Sequence, residues 1–191
     1  MDTMHLKRVC VFCGANSGSR PVYLEAAFAL ARETATRRLG LVYGGASIGL
    51  MGAIANVMIE NSGEVIGVIP QHIVDLEVAH SRLKDLRVVQ TMHERKALMA
   101  DLSDAFIAMP GGFGTLDELC EILTWSQLGL HAKPIGLLNV AGYFDSFLAF
   151  ADHAVREGFL KLEHRQLLRV HDDPGALLTE LQFTSNPPDL R

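Results

Sequence analysis

Two glycine clusters carry the first chemical signal in this chain. One is Gly44-Gly45-Ala-Ser-Ile-Gly49-Leu-Met-Gly52, the other Pro110-Gly111-Gly112-Phe113-Gly114-Thr115. Each lies between a short apolar run and an amphipathic one, where a strand hands over to a helix. Free backbone N–H groups at such a junction bind anions, and glycine lets the backbone approach a phosphate closely. Neither cluster is a P-loop: Gly44 and Gly49 have its spacing, but Leu50-Met51 stands where Lys-Ser/Thr is required. G-x-G-x-x-G with a downstream acid is absent as well. One such cluster is explained by tight turns and helix packing. Two at equivalent junctions point to an anionic ligand.

Charged residues sit beside these loops. Thr115-Leu-Asp-Glu118 fits a capping box, with Thr115 as N-cap and Glu118 reaching back from the third helical position. The same carboxylate would also stand at the mouth of the second glycine loop. That placement suits a ligand with an anionic end and a hydroxylated centre that develops positive charge. In His93-Glu94-Arg95-Lys96, Arg95 and Lys96 either solvate a helix start or supply the cations that hold a phosphosugar. Glu77 lies in an aperiodic stretch, Gln71 to Lys84, and a single loop glutamate is usually surface decoration.

Other candidates read as structure. Cys10 and Cys13 form C-x-x-C, but an odd separation on a strand sends them to opposite faces, so both are expected in the core. The eight histidines show no metal-ligand spacing. Ser17 and Ser47 lack a recognisable base partner. Leu123, Trp125 and Leu128 read as core or as a stripe for self-association.

These residues need a scaffold, and the hydropathy pattern supplies one. Apolar runs at Arg8–Gly14, Leu41–Gly44, Val65–Ile69, Leu86–Gln90, Ala105–Met109, Pro134–Val140 and Leu168–Val170 read as strands. Amphipathic segments at Pro21–Leu39, Gly49–Ile59, His93–Leu102, Leu116–Leu128, Tyr143–Glu157 and Pro174–Leu181 read as helices. In the fifth of these, Phe144, Phe147, Leu148, Ala151 and Val155 form one apolar stripe. Repeated βα units with apolar strands predict an α/β, Rossmann-like fold: one parallel β-sheet with helices on both faces, as a single domain over residues 1–183 with a polar tail at 184–191.

Composition excludes several classes. With 191 residues, 49% hydrophobic, the chain can bury a full core, which argues against disorder. A net charge of −5 provides no basic field for a nucleic-acid polymer. The longest apolar stretch, Pro134 to Phe144, has about 11 residues where a membrane span needs about 20. No signal peptide is expected, because only a short apolar run follows Lys7 and Arg8. Three cysteines, an odd number, fit a reducing compartment, so the expected location is cytoplasmic.

The segment Pro110-Gly-Gly-Phe-Gly-Thr-Leu-Asp-Glu118, with Met92-His-Glu-Arg95-Lys96 and Gly44-Gly45…Gly49-Leu-Met-Gly52, resembles the LOG (Lonely Guy) family over Val9 to Phe159. Many of its members once carried the label "lysine decarboxylase", but no lysine here has a recognisable pyridoxal-phosphate context. The resemblance implies a Rossmann-like homodimer that hydrolyses the N-glycosidic bond of cytokinin riboside 5′-monophosphates or AMP, with no metal or other cofactor. It implies Arg95 and Glu118 as the catalytic pair. It further implies substrate contacts from Glu77, Lys96, Gly111, Gly112, Phe113, Gly114, Thr115 and Thr124, and from Gly45 and Gly49 in the first cluster. A non-catalytic nucleotide carrier on the same fold is the alternative reading, and a transferase reusing the glycine loops is a third.

Overall fold

The computed structural model describes residues 6–74 and 79–183. In chain order the elements are β1 (Arg8–Phe12), α1 (Pro21–Thr36), β2 (Gly40–Tyr43), α2 (Gly49–Glu60), β3 (Val65–Pro70), α3 (Gln71–Val74), β4 (Asp85–Val89) and α4 (Met92–Asp101). They continue with β5 (Ala105–Ala108), α5 (Phe113–Gln127), β6 (Ile135–Leu138), α6 (Asp145–Arg156), α7 (Leu162–Arg165), β7 (Leu168–His171) and α8 (Pro174–Phe183). The strands form one seven-stranded sheet in the order β4-β3-β2-β1-β5-β6-β7. Every adjacent pair is parallel.

Alternation along β1 divides the core between the two faces of the sheet. Val9, Val11 and Cys13 join a cluster completed by Leu30 of α1, Ile54 of α2 and Leu178 of α8. Cys10 and Phe12 join the opposite cluster, with Met99 of α4 and Leu119 of α5. The two cysteines are therefore buried on opposite faces, as their spacing predicts, and burial pushes both thiols well above their ordinary range.

From β1 the chain winds outward to β4, then returns to place β5 on the other side of β1. The loops after β1 and β5 consequently diverge and open a crevice at the carboxyl ends of the strands, where ligands of such sheets bind.

Differences from the sequence expectations are local. The helix predicted from Leu116 begins at Phe113. A 3₁₀ turn at Val140–Gly142 separates the predicted sixth strand from its helix. The short helices α3 and α7 have too few residues to show a period. Residues 184–191, expected as a tail, lie outside the described residues.

Candidate functional site

Thr91 starts the construction of the site. Its Oγ1 accepts from the Glu94 amide at 3.1 Å, while Glu94 Oε2 accepts from the Thr91 amide at 3.3 Å, a capping box that fixes the first turn of α4. The next residue, Arg95, then points beneath the strand ends. Its Nε donates to the Val68 carbonyl of β3 at 3.1 Å, and its Nη1 donates to Glu118 Oε1 of α5 at 2.5 Å. Both side chains are buried, each residue 8% exposed. Burial raises the Glu118 carboxyl above its ordinary pKa, and the guanidinium of Arg95 works against that rise.

Gly44 completes the niche. A Cβ on Gly44 would collide with Arg95 Nη2, so this glycine makes room for the arginine rather than for a ligand. Its neighbours in the first cluster are also occupied by the protein. Gly45 has φ +77° and packs on Ile69; Gly49 has φ +59° and lies against the backbone of Ala15. Gly45 and Gly49, expected as substrate contacts, thus have sufficient structural reasons to be glycine.

The second cluster is different. Gly111 is packed in, its missing Cβ replaced by Thr115 Oγ1, and Gly14 donates to the Pro110 carbonyl at 3.0 Å. Yet a Cβ on Gly112 or Gly114 would meet nothing within 4 Å, and neither residue has a positive φ. Protein packing does not account for these two glycines. Gly112 is the N-cap of α5 and offers no side chain to the helix. Its first-turn N–H groups and the positive end of its dipole are left for an anion. This corrects the expected capping box at Thr115: that residue is the third of the helix, buried beneath Gly111, and Glu118 lies a turn further on.

These loops line a cleft of about 510 Å³, a volume suited to a nucleotide-sized ligand. Its lining includes Arg95, Gly112, Gly114, Thr115, Asp117 and Glu118. Apolar side chains, Ile48, Met51, Ile69, Ile73 and Met92, line it as well. Nothing in the periodicity of the sequence separated these from core positions. The cleft therefore joins an anion-binding helix end, a buried carboxylate–guanidinium pair and an apolar lining.

The remaining expected residues sit elsewhere. Lys96 Nζ lies 3.1 Å from both Asp117 Oδ2 and Glu121 Oε2 and ties α4 to α5. Burial lowers the pKa of this ammonium, but its two carboxylate partners outweigh that effect and raise it overall. Thr124 Oγ1 donates to the Cys120 carbonyl on its own helix at 2.7 Å, away from the cleft lining. Phe113, 92% exposed, projects into solvent at the start of α5. Glu77 lies outside the described residues. Of the expected self-association stripe, Leu123 and Trp125 pack partly into the core, while Leu128 is exposed.

Comparison with known proteins gives the family and the fold. A family model described as "Possible lysine decarboxylase" matches residues 51–181. The chain is 53% identical over 176 residues to the cytokinin riboside 5′-monophosphate phosphoribohydrolase LOG5 of Arabidopsis thaliana, covering 92% of this chain and 77% of the relative. It is 50% identical to LOG1 of the same plant, which carries the same description, covering 92% and 83%. Among solved structures, the molybdenum cofactor binding protein of Rippkaea orientalis superposes with a TM-score of 0.70 at 22% identity, covering 93% of this chain and 96% of that one. The molybdenum cofactor carrier protein of Chlamydomonas reinhardtii gives 0.68, also at 22%, covering 91% and 94%. At that identity the likeness is one of fold.

Proposed function

Because this chain belongs to the LOG family of phosphoribohydrolases, we propose that it hydrolyses the N-glycosidic bond of cytokinin riboside 5′-monophosphates, and of AMP, to free base and ribose 5-phosphate. The observation that carries the reading is the buried Arg95–Glu118 pair beside a helix start where Gly112 and Gly114 keep clear a space the protein does not fill.

In this reading the N–H groups at the start of α5 hold the 5′-phosphate, and the apolar lining holds the base. The ribose then lies over Glu118. As the C1′–N9 bond breaks, its electron pair leaves with the base and positive charge develops on the sugar, as in glycoside hydrolysis. The Glu118 carboxylate stabilises that charge and orients the water that adds to C1′, and the proton this water gives up to the carboxylate is returned to the departing base nitrogen, so that neutral base and ribose 5-phosphate are released. Arg95 occupies Oε1, leaving the other carboxylate oxygen for ribose or water, and its charge opposes the effect of burial on Glu118. The phosphate contacts supply remote binding energy that positions the reacting centre. Lys96 acts in this scheme by fixing Asp117 and Glu121 on α5.

A homodimer is part of the proposal. The apolar stripe of α6 leans on the core through Phe147 and Leu148, while Phe150 on the outer side of α6, Phe159 beyond it and Leu162 at the start of α7 are 67%, 90% and 60% exposed. A second copy covering that face would remove them from water. The three free cysteines support a reducing, cytoplasmic location, and no described helix is long and apolar enough to cross a membrane.

The test is to incubate the protein with AMP and with isopentenyladenosine monophosphate, without added metal, and follow free base by chromatography. Base release that disappears in Glu118→Ala and Arg95→Ala supports the hydrolase. Tight nucleotide binding without base release would replace it with a carrier.

A further inference from the structure

The turn between β6 and α6 makes a contact that the scheme above does not use. The Tyr143 hydroxyl donates to the Gly111 carbonyl at 2.5 Å. That carbonyl shares its peptide unit with the Gly112 N–H, and in a trans peptide the two point in opposite directions. Fixing the carbonyl therefore fixes the amide. The bond also polarises the peptide and strengthens its N–H as a donor.

The turn is built to hold this tyrosine in place. Asn139 Nδ2 donates to Asp145 Oδ1 at 2.8 Å, and Asn139 Oδ1 accepts from the Phe144 amide at 2.8 Å. Between them, Ala141 adopts φ 50°, ψ 35°, and Gly142 follows at φ 74°. A left-handed alanine persists only where its surroundings impose it, and such residues gather at functional sites. The Tyr143 ring meets Tyr23 of α1 edge-on at 5.7 Å, and Arg20 lies 5.7 Å over the Tyr23 ring. Residues following β1, β5 and β6 thus meet around one tyrosine. Tyr143 is 44% exposed, so water is open to it, yet its hydroxyl binds a main-chain carbonyl.

We propose that Tyr143 is a positioning residue for the phosphate end of the substrate: its hydroxyl sets the Gly111–Gly112 peptide so that the Gly112 N–H is aimed at the 5′-phosphate. This rests on the hydrolase reading and extends it to a residue outside the catalytic pair.

Tyr143→Phe keeps the ring and its stacking and removes only the hydroxyl. The loss of one positioned hydrogen bond is expected to raise KM for AMP, and the Kd for ribose 5-phosphate measured by calorimetry, about tenfold. The rate at saturation should change less than threefold. Inhibition by adenosine, which lacks the phosphate, should stay as it is. A purely structural tyrosine would weaken adenosine and ribose 5-phosphate alike and lower the melting temperature. That result, or an unchanged Kd for ribose 5-phosphate in a folded variant, overturns the proposal. The calorimetric arm needs no turnover. A wild-type protein that binds ribose 5-phosphate but releases no base from AMP would remove the hydrolase reading, while the variant still decides on Tyr143.

Discussion

Gly44 lacks a side chain for the sake of Arg95, whose Nη2 lies too near the position a Cβ would take for one to fit. Gly44 follows β2 and Arg95 belongs to α4, and the strand beside β2, β3, lends the Val68 carbonyl to Arg95 Nε. Gly44→Ala should therefore displace the guanidinium from Glu118. Activity is expected to fall nearly as far as in Arg95→Ala, while nucleotide still binds. Parallel turnover and calorimetry on the two variants check this; Gly44→Ala with full turnover would separate the glycine from the catalytic pair.

Gly114 makes the opposite case. It is the second residue of α5, and its Cβ would meet only open space. Alanine there should leave the fold intact and stabilise the helix by up to about 1 kcal/mol, from the difference in helix propensity. Nucleotide affinity should nonetheless drop, because the new methyl group stands where the ligand approaches. Thermal unfolding and KM measured on one preparation distinguish this from a packing role, which would lower stability and affinity together.

Burial lifts the Glu118 carboxyl, and Arg95 opposes the lift without cancelling it. The ionised form is the reactive one, so kcat/KM should fall as pH drops through a value above the ordinary glutamate pKa of about 4.3. Stability runs the other way. The folded state favours the protonated acid, so the contribution of Glu118 to stability declines as pH rises from the ordinary range through the raised pKa. Glu118→Gln should erase the acid limb and lower turnover about 10²–10⁴-fold, as expected for a positioned acid–base group. An acid limb that survives in Glu118→Gln belongs to another residue.

How far the sequence could be read depended on the range of the interaction. Strand and helix positions followed from period, and Cys10 and Cys13 fell on opposite faces by counting. The capping rule fits Thr115 and Glu118 by spacing alone, although Thr91-x-x-Glu94 satisfies it one helix earlier and is the box that forms. A glycine N-cap such as Gly112 leaves no side-chain signal, so the true start of α5 was hidden. Lys96 read as a phosphate ligand because its partners, Asp117 and Glu121, come from a helix about twenty residues on whose packing against α4 no local pattern encodes. The difference between Gly44, packed against an arginine, and Gly112, facing open space, exists only in three dimensions.

The cap at Thr91 has a measurable energy. Replacing it with alanine removes one partner of the box and is expected to cost about 1 kcal/mol. For a domain of this size that lowers the melting temperature by about 2–4 °C. Since Arg95 lies just past the capped turn, fraying should also reduce turnover at temperatures well below the transition. Calorimetric melting beside an activity–temperature profile would show both; a melting drop with an unchanged profile would mean that Val68 and Glu118 alone hold Arg95.

The α6 face gives the last prediction. The apolar stripe of α6 packs against the core through Phe147 and Leu148, but Phe150 lies off that stripe on the outer side of the helix. An aromatic residue such as Phe150, 67% exposed, loses about 1.5–3 kcal/mol of burial free energy by staying in water. Pairing two copies through this face recovers that term twice over by symmetry. Sedimentation should therefore find a particle of twice the 20.9 kDa chain mass. Phe150→Glu would put a charge on each side of the symmetric contact and should shift the protein to monomer at micromolar concentration with its circular dichroism unchanged. A variant that remains dimeric would place the contact on another face, and a monomeric wild type would remove the dimer from the proposal.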